Sequence, residues 1–171
     1  AISMLSREAI LDHLPRLRRY ARALTGDRFA ADDLVQDTVE RALSRWALLR
    51  PGSDPQVWLL AIMHNLSMNQ RRKGWREQVT EDGILPEFPV AASQTDGLVL
   101  EDLSRCLYRL PEEQRAVLLL VCVEELSYAQ CARVLAIPVG TVMSRLTRAR
   151  QKLVRLLAGD EEVVVKLEVV K

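Results

Sequence analysis

Apolar residues recur every three or four positions through most of the chain, which is the spacing of one face of an α-helix. Between positions 10 and 24 this face consists of Ile10, Leu14, Leu17, Ala21 and Leu24. We expect a helix there that kinks or restarts at Pro15, because proline lacks the backbone N–H and collides with the preceding turn. The segment 25–27, Thr-Gly-Asp, predicts a helix end followed by the N-cap of a new helix.

Two more helices are predicted in the first half. The next spans about 29–46, and its apolar face is formed by Ala31, Leu34, Val35, Thr38, Ala42 and Trp46. After a loop at 50–53, Asp54 is a candidate N-cap and Pro55 is suited to the first turn of a third helix. That helix is expected to run to about Lys73, with Trp58, Ile62 and Leu66 facing inward.

The segment 79–96 has prolines, a glycine and acids but no sustained period, which is typical of a flexible tether. A second helical set begins near Leu98. Pro111 opens one of its helices, with Glu112 and Glu113 in the first turn, where the helix dipole favours acids. The apolar run 119–123 fits a buried strand by pattern alone, but no second strand is predicted to pair with it.

Ser127 is a candidate N-cap for a short helix to about Leu135, and a last helix is predicted from 138 or 139 to 157. The sequence therefore predicts an all-α fold of two small helical domains joined by a flexible linker. We expect these domains at 5–76 and 98–158, an acidic linker at 77–97, and a tail of unknown role at 159–171.

Composition narrows the class of protein. With 171 residues, 49% hydrophobic and 27% charged, the chain is an ordinary globular protein of one or two domains. It shows neither an apolar run long enough to span a membrane nor an export signal, so we expect a cytoplasmic protein. The cysteines Cys106, Cys122 and Cys131 form no C-x-x-C pair and are expected to be buried as small hydrophobes.

Charge is separated into blocks along the chain. The segment 71–76 has four basic residues and no acid, 77–104 has seven acids and no Lys or Arg, and 138–157 has five basic residues and no acid. Each run alone is compatible with a solvated face. Two basic runs at the ends of amphipathic helices, however, favour nucleic-acid binding despite the net charge of +1.

The segment 127–157 has the layout of a helix-turn-helix, although an ordinary αα-hairpin has a similar pattern. Val142 and Leu146 are expected to face inward on its last helix. The outward face then carries hydroxyl and guanidinium groups, which contact bases and phosphates in a major groove. Gly140 would let the backbone approach a phosphate. The outward residues are Thr141, Met143, Ser144, Arg145, Thr147 and Arg148.

No nucleophile–base pair, phosphate-binding glycine loop or metal-ligand spacing occurs in the sequence. We therefore expect no catalytic residues, no cofactor and no metal, and a protein that is not an enzyme.

The motif residues resemble a known family. The segments Leu-Pro-Glu-Glu-Gln-Arg at 110–115, Leu-Ser-Tyr at 126–128 and 137–150 resemble domain four of the extracytoplasmic-function (ECF) sigma factors, group IV of the sigma-70 family. The segments 24–27, 31–38 and 58–65 resemble domain two of the same family. The resemblance covers about 5–157 in the expected order and implies a factor that directs RNA polymerase core to promoter DNA and initiates transcription.

The resemblance implies a polymerase-binding face on the second helix, formed by Asp33, Gln36, Asp37, Glu40 and Arg41. These residues are spaced to share one polar helix face, for which no partner within the chain is evident. A merely solvated face is the alternative.

Recognition of the −10 element is implied for the third helix and for the loop at 48–54, which would capture a flipped base. The matching residues on the helix are Asn65, Asn69, Arg71, Arg72, Lys73 and Arg76. Asn65 has an alternative role, which is to cap a buried backbone group.

Recognition of the −35 element is implied for the last helix, at Gly140, Thr141, Met143, Ser144, Arg145, Thr147, Arg148 and Arg150. Three positions depart from the family pattern. Met143 stands where members commonly carry Lys or Arg, Ala136 where many have Gly, and Cys131 where an aliphatic residue is more usual.

Membership also implies regulation by an anti-sigma factor. One alternative function is a sigma-like decoy that sequesters such a factor. Decoys of that kind carry a phospho-receiver domain after the sigma-like part, which this sequence does not show, and the two basic runs favour an initiation factor. A one-domain helix-turn-helix repressor leaves the first hundred residues unexplained.

Overall fold

The computed structural model describes residues 4–81 and 98–159, except for the side chains of 4–6, 74–81 and 98–101. Most of the predicted linker, and the tail beyond 159, therefore lie outside the described residues. The described part is helical, as predicted, and consists of an N-terminal unit and a C-terminal unit.

The N-terminal unit contains α1 (Met4–Thr25), α2 (Arg28–Ser44), a 3₁₀ turn (Trp46–Leu48) and α3 (Pro55–Glu81). Both predicted N-caps are confirmed: the Asp27 carboxylate accepts the N–H of Phe29 at 3.1 Å, and the Asp54 carboxylate accepts the N–H of Gln56 at 2.9 Å. These caps satisfy donors that the first helical turn leaves unpaired.

Two helix predictions for this unit were wrong. α1 passes through Pro15 as one continuous helix, so the predicted restart is wrong, while the predicted kink stays a prediction. Pro15 is exposed, so water can satisfy the carbonyl that the proline leaves unpaired. α3 extends beyond Lys73 to Glu81, because Gly74 alone does not outweigh the good helix formers around it. The first residues of the predicted linker, 77–81, therefore belong to α3.

The C-terminal unit contains α4 (Leu98–Arg109), α5 (Glu112–Leu118), a π-helical turn (Leu119–Val123), α6 (Tyr128–Leu135) and α7 (Val139–Leu157). The run 119–123 is thus helical. Leu119 and Leu120 are buried in it while Cys122 is exposed, which corrects the expectation that all three cysteines are buried. Ser127 begins α6 with a capping box, in which its side chain and that of Gln130 each bond the other's backbone N–H.

The two units share one cluster of buried apolar side chains. α1 packs against α5 and the π-helical turn, and α3 packs against α6. Within α3 the deepest side chains are Leu59, Leu60 and Met63, whereas Trp58, Ile62 and Leu66, which were predicted to face inward, are only partly buried at the edge of the cluster. The reason is that α3 packs on two sides, against α1 and α2 and against α6, so its buried face is broader than one stripe.

Candidate polymerase and nucleic-acid interfaces

The helix-turn-helix has the geometry that its spacing predicts. Ala136 adopts the left-handed conformation (φ 54°, ψ 45°) that ends α6, which explains why glycine suits this turn. The N–H of Ile137 donates to the carbonyl of Ala132 at 3.1 Å and closes the turn. Val142 and Leu146 are buried as expected. The buried side of α7 therefore fixes which residues point outward.

On the outward side of α7, Met143, Ser144, Thr147, Arg148 and Arg150 are exposed. The hydroxyls of the serine and threonine donate to carbonyls of their own helix, Ser144 to Thr141 at 3.1 Å and Thr147 to Met143 at 3.0 Å. A Cβ built on Gly140 would meet nothing within 4 Å, so the start of α7 is open to close approach.

Two residues that were predicted to face outward are less exposed than expected. Thr141 and Arg145 are half-buried. A guanidinium nitrogen of Arg145 lies 3.6 Å from a carboxylate oxygen of Glu113, because the start of α5 lies beside α7. Arg145 was predicted to face outward, and its side chain is instead partly covered and paired with an acid.

The predicted −10 residues lie on the second half of α3. Asn65, Asn69, Arg71, Arg72 and Lys73 are exposed, while the side chain of Arg76 lies outside the described residues. An open cleft is lined by both asparagines and Arg72. The rest of its wall comes from neighbouring elements and includes Arg41 of α2, Arg45 just after α2, His64 of α3 and Leu135 of α6. The cleft thus brings amide and guanidinium donors together, but part of its wall belongs to the C-terminal unit.

The loop that follows α2 is anchored by two tryptophans. The rings of Trp46 and Trp58 meet edge to face with centroids 5.6 Å apart. Such a pair is a favourable aromatic arrangement. It fixes the start of the segment 48–54, in which Leu48 is 72% exposed.

The predicted polymerase face of α2 is exposed, but it is not without partners. Asp33, Gln36, Asp37, Glu40 and Arg41 are all exposed. The side-chain amide of Gln70 donates to the Asp37 carboxylate at 3.0 Å, which corrects the expectation that this face has no partner in the chain. The partner comes from α3, far along the sequence, and only the packing of α2 on α3 brings it near.

This face also borders two different surfaces. Gln36 and Glu40 line a groove with three arginines, Arg18 and Arg22 of α1 and Arg28 at the start of α2. Arg41 instead lines the cleft that contains the −10 residues. The five residues therefore form a ridge between a mixed-charge groove and a basic cleft.

Arg115 is a residue whose role the sequence did not predict. Its buried guanidinium donates to four carbonyls, those of Leu107, Tyr108 and Leu110 at 2.9–3.0 Å and that of Leu24 at 2.9 Å. Three of these carbonyls lie at or just after the C-terminal end of α4 and the fourth at that of α1. A cation there satisfies unpaired carbonyls and complements the helix dipole.

Other contacts join the two units at the same end of α1. The Tyr108 hydroxyl donates to the carbonyl of Arg22 at 3.0 Å. The Tyr108 ring also covers Gly26, whose φ is 72° and whose Cβ, if it had one, would lie 2.7 Å from a ring carbon. Glycine is therefore required here both for its backbone conformation and for space.

A buried carboxylate forms a further link. The Glu124 side chain is fully buried and accepts hydrogen bonds from Arg19 of α1 at 3.2–3.3 Å and from Gln56 of α3 at 3.5 Å. Arg16 in turn donates to Gln56 at 2.7 Å. A charge taken out of water needs such partners, so Glu124 is satisfied only when the two units are in contact.

Two neighbouring acids at the start of α5 bind basic residues on either side. Glu112 pairs with Arg71 of α3, and Glu113 pairs with Arg145 of α7. Burial raises the pKa of Glu112. The pKa of His64 on α3 is lowered mainly by burial and also by the charge of Arg145 on α7. The sequence predicted that these acids lie in the first turn of a helix, where its dipole favours them, but it predicted neither ion pair.

The described residues contain no group of three or more His, Cys, Asp or Glu placed to bind a metal ion. Among the described helices, none has the length and hydrophobicity required to cross a bilayer.

Two family models match the chain in the order that the sequence predicts. The sigma2 domain of PhyR matches residues 10–64, and sigma-70 region 4 matches residues 100–153. A similar relative is the ECF RNA polymerase sigma factor EcfG of Rhodopseudomonas palustris, which is 39% identical over 155 residues, covering 90% of this chain and 86% of that protein.

Solved structures agree with the sequence comparison. The sigma factor RpoE from Bartonella quintana, in complex with the anti-sigma factor NepR, matches with a TM-score of 0.82 and 34% identity, over 90% of this chain and 97% of that chain. CnrH in complex with the cytosolic domain of CnrY matches with a TM-score of 0.67 and 27% identity, over 90% of this chain and 87% of that one. Both structures hold a helical chain of this architecture together with a second protein.

Proposed function

Because the chain belongs to the ECF RNA polymerase sigma factors, we propose that it directs core RNA polymerase to specific promoters and initiates transcription there, without catalysing a reaction itself. The observation that carries this proposal is the presence of two basic helix surfaces, one in each helical unit. The second half of α3 carries Arg71, Arg72 and Lys73, and the exposed side of α7 carries Arg148 and Arg150. Two such surfaces suit a protein that contacts two separate promoter elements.

For binding to core polymerase we propose the α2 ridge of Asp33, Gln36, Asp37, Glu40 and Arg41. All five side chains are exposed on a rigid helix. The hydrogen bond from Gln70 holds Asp37 in place, so this carboxylate is preorganised for a partner. Charged ridges of this kind contribute to specificity and association rate more than to affinity.

For the −10 element we propose the cleft beside α3. Asn65, Asn69 and Arg72 supply side-chain amides and a guanidinium in one concave surface, which suits an extruded base and its phosphates. Arg71, Lys73 and Arg76 extend the positive charge along the same helix. The loop 48–54, whose start is held by the Trp46–Trp58 pair, is the segment that we propose captures the extruded base.

For the −35 element we propose the exposed side of α7. Thr141, Ser144 and Arg148 lie along one side of the helix near its N-terminus, where they would reach base edges. Gly140 leaves room for a phosphate, and Met143 adds an exposed apolar contact. Arg145, Thr147 and Arg150 complete the surface.

An anti-sigma factor is the further partner that we propose, acting on a cytoplasmic protein. The support is that both similar solved structures hold a second protein, named in one case as an anti-sigma factor. A decoy that sequesters such a factor is the second candidate. The family model that matches residues 10–64 is the sigma2 domain of PhyR, and a solved structure names PhyR as an anti-anti-sigma factor. The relative at 39% identity is instead named as a sigma factor, which favours initiation.

Run-off transcription with core polymerase on genomic promoter fragments tests the proposal. An initiation factor yields discrete transcripts that depend on the added chain, whereas a decoy yields none and only relieves inhibition by an anti-sigma factor.

The same assay separates base recognition from phosphate binding. Arg148→Ala should cost about 1–3 kcal/mol on the preferred promoter and flatten the preference among −35 variants. Lys152→Ala, further along α7, is the matched control; it should weaken all sequences alike and reduce the salt dependence by about one counterion. An equal, uniform loss in both variants would contradict the proposed −35 surface.

A further inference from the structure

We propose that Glu112 and Glu113 serve as an internal substitute for DNA phosphates, so that the free chain holds its own promoter-binding arginines in a closed, inactive arrangement. This inference rests on the proposed function, since it takes Arg71 and Arg145 to be DNA contacts of the −10 and −35 surfaces.

The two acids lie next to each other at the start of α5, and each binds one of these arginines. The Arg71 side chain is 40% exposed and its Glu112 partner 13% exposed. The Arg145 side chain is 27% exposed, its Glu113 partner is 63% exposed, and the two charged groups are 3.6 Å apart. Carboxylate oxygens offer a guanidinium the same charge-assisted hydrogen bonds as phosphate oxygens.

The pair with Arg71 joins the two units, because α3 belongs to one and α5 to the other. The hydrogen-bonding capacity of Glu112 is only partly used. One carboxylate oxygen pairs with Arg71, and the other is buried without a hydrogen-bond partner among the described residues. Burial also raises the pKa of this carboxyl. An acid in such surroundings is costly to keep charged, and the positive charges of Arg71 and Arg115 offset part of that cost.

The rest of the interface places one side of the proposed −10 cleft against the C-terminal unit, while most of the proposed −35 surface stays exposed. Leu135 of α6 forms part of the cleft that contains Asn65, Asn69 and Arg72. Arg145 of α7 is near enough to His64 of α3 to lower the pKa of that histidine. In this arrangement one side of the −10 cleft is occupied by the C-terminal unit, so a DNA strand would have to displace it.

Binding of free chain to DNA tests the proposal. The double variant E112Q/E113Q keeps the side-chain size and removes both charges. Its matched control is E8Q/D12N, which removes two charges from exposed positions of α1. Binding to a short fluorescent duplex and to a fluorescent single strand, both of random sequence, is measured by anisotropy at several salt concentrations.

We expect E112Q/E113Q to bind DNA more tightly than wild type by about two- to fivefold for each released pair, and clearly more than E8Q/D12N. An equal gain in the two double variants would overturn the proposal, because it would reflect net charge alone. If E112Q/E113Q loses helix content, E113Q takes its place, since Glu113 is mostly exposed, and its gain is compared with that of E8Q.

A double-mutant cycle separates the proposal from its premise. Arg71→Ala should weaken DNA binding more in the E112Q background than in wild type, because Arg71 is free to bind phosphate only in the former. An identical loss in both backgrounds would refute the internal substitute, and no loss in either would show that Arg71 is not a DNA contact. The run-off assay tests the sigma activity independently of both results.

Discussion

Replacing Arg115 by glutamine should destabilise the folded chain strongly. The substitution removes a buried cation that donates to four carbonyls at the ends of α1 and α4. It also removes the contact of the guanidinium with the Tyr108 ring, whose centroid is 5.1 Å away. A glutamine side chain has one amide group and can replace at most two of these hydrogen bonds.

The expected loss follows from these contacts. A hydrogen bond to a charged group contributes about 1.5–3 kcal/mol, and such contributions are not additive within one cluster. Because at least two of the four bonds are lost, we expect Arg115→Gln to lower the free energy of unfolding by about 3–5 kcal/mol. This is a large part of the free energy of unfolding of a small protein, which is about 5–15 kcal/mol.

Urea unfolding followed by far-UV circular dichroism measures this loss. The matched control is Arg133→Ala, at an exposed position of α6, which should change the free energy of unfolding by no more than about 0.5 kcal/mol. A loss below about 1 kcal/mol for Arg115→Gln would refute the conclusion that this residue holds two helix ends together.

Three further predictions concern other parts of the chain. Gly26→Ala should lower the free energy of unfolding by more than Gly52→Ala, because both glycines have a positive φ but only the former would place a Cβ against a tyrosine ring; urea unfolding of the two variants compares them. Ala136→Gly should raise the free energy of unfolding by up to about 1 kcal/mol, because the left-handed conformation strains alanine. An unchanged melting temperature in calorimetry would contradict this. Reversing Asp33 and Glu40 to lysine should weaken capture by core polymerase in a pull-down while leaving the circular dichroism spectrum unchanged; unaltered capture would exclude the α2 ridge.

Local signals account for what the sequence predicted well. The caps at Asp27, Asp54 and Ser127 each depend on a side chain within three residues of the backbone group that it bonds. The course of α7, and which of its residues are buried, follow in the same way from a strong apolar stripe. The family resemblance, in turn, rests on motif residues that lie close together in sequence.

Contacts between distant segments account for what the sequence did not predict. The donor that bonds the Asp37 carboxylate lies 33 positions later, at Gln70, and the partners of Glu124 lie 68 and 105 positions away. No periodicity or spacing encodes such pairs, because they exist only once helices that are distant in the sequence pack together. The same holds for the ion pair of Arg145, whose position on an amphipathic helix predicts exposure.

The link between Leu24 and Arg115 has a consequence for the order of folding during synthesis. The carbonyl of Leu24 emerges from the ribosome 91 residues before the guanidinium that will bond it. At the ordinary rate of about 5–20 residues per second, the N-terminal unit has several seconds to fold with the end of α1 exposed to water. Contacts of such long range form late, since closing a long loop must precede them. We therefore expect a nascent chain to present its α2 and α3 surfaces before the C-terminal unit can cover them.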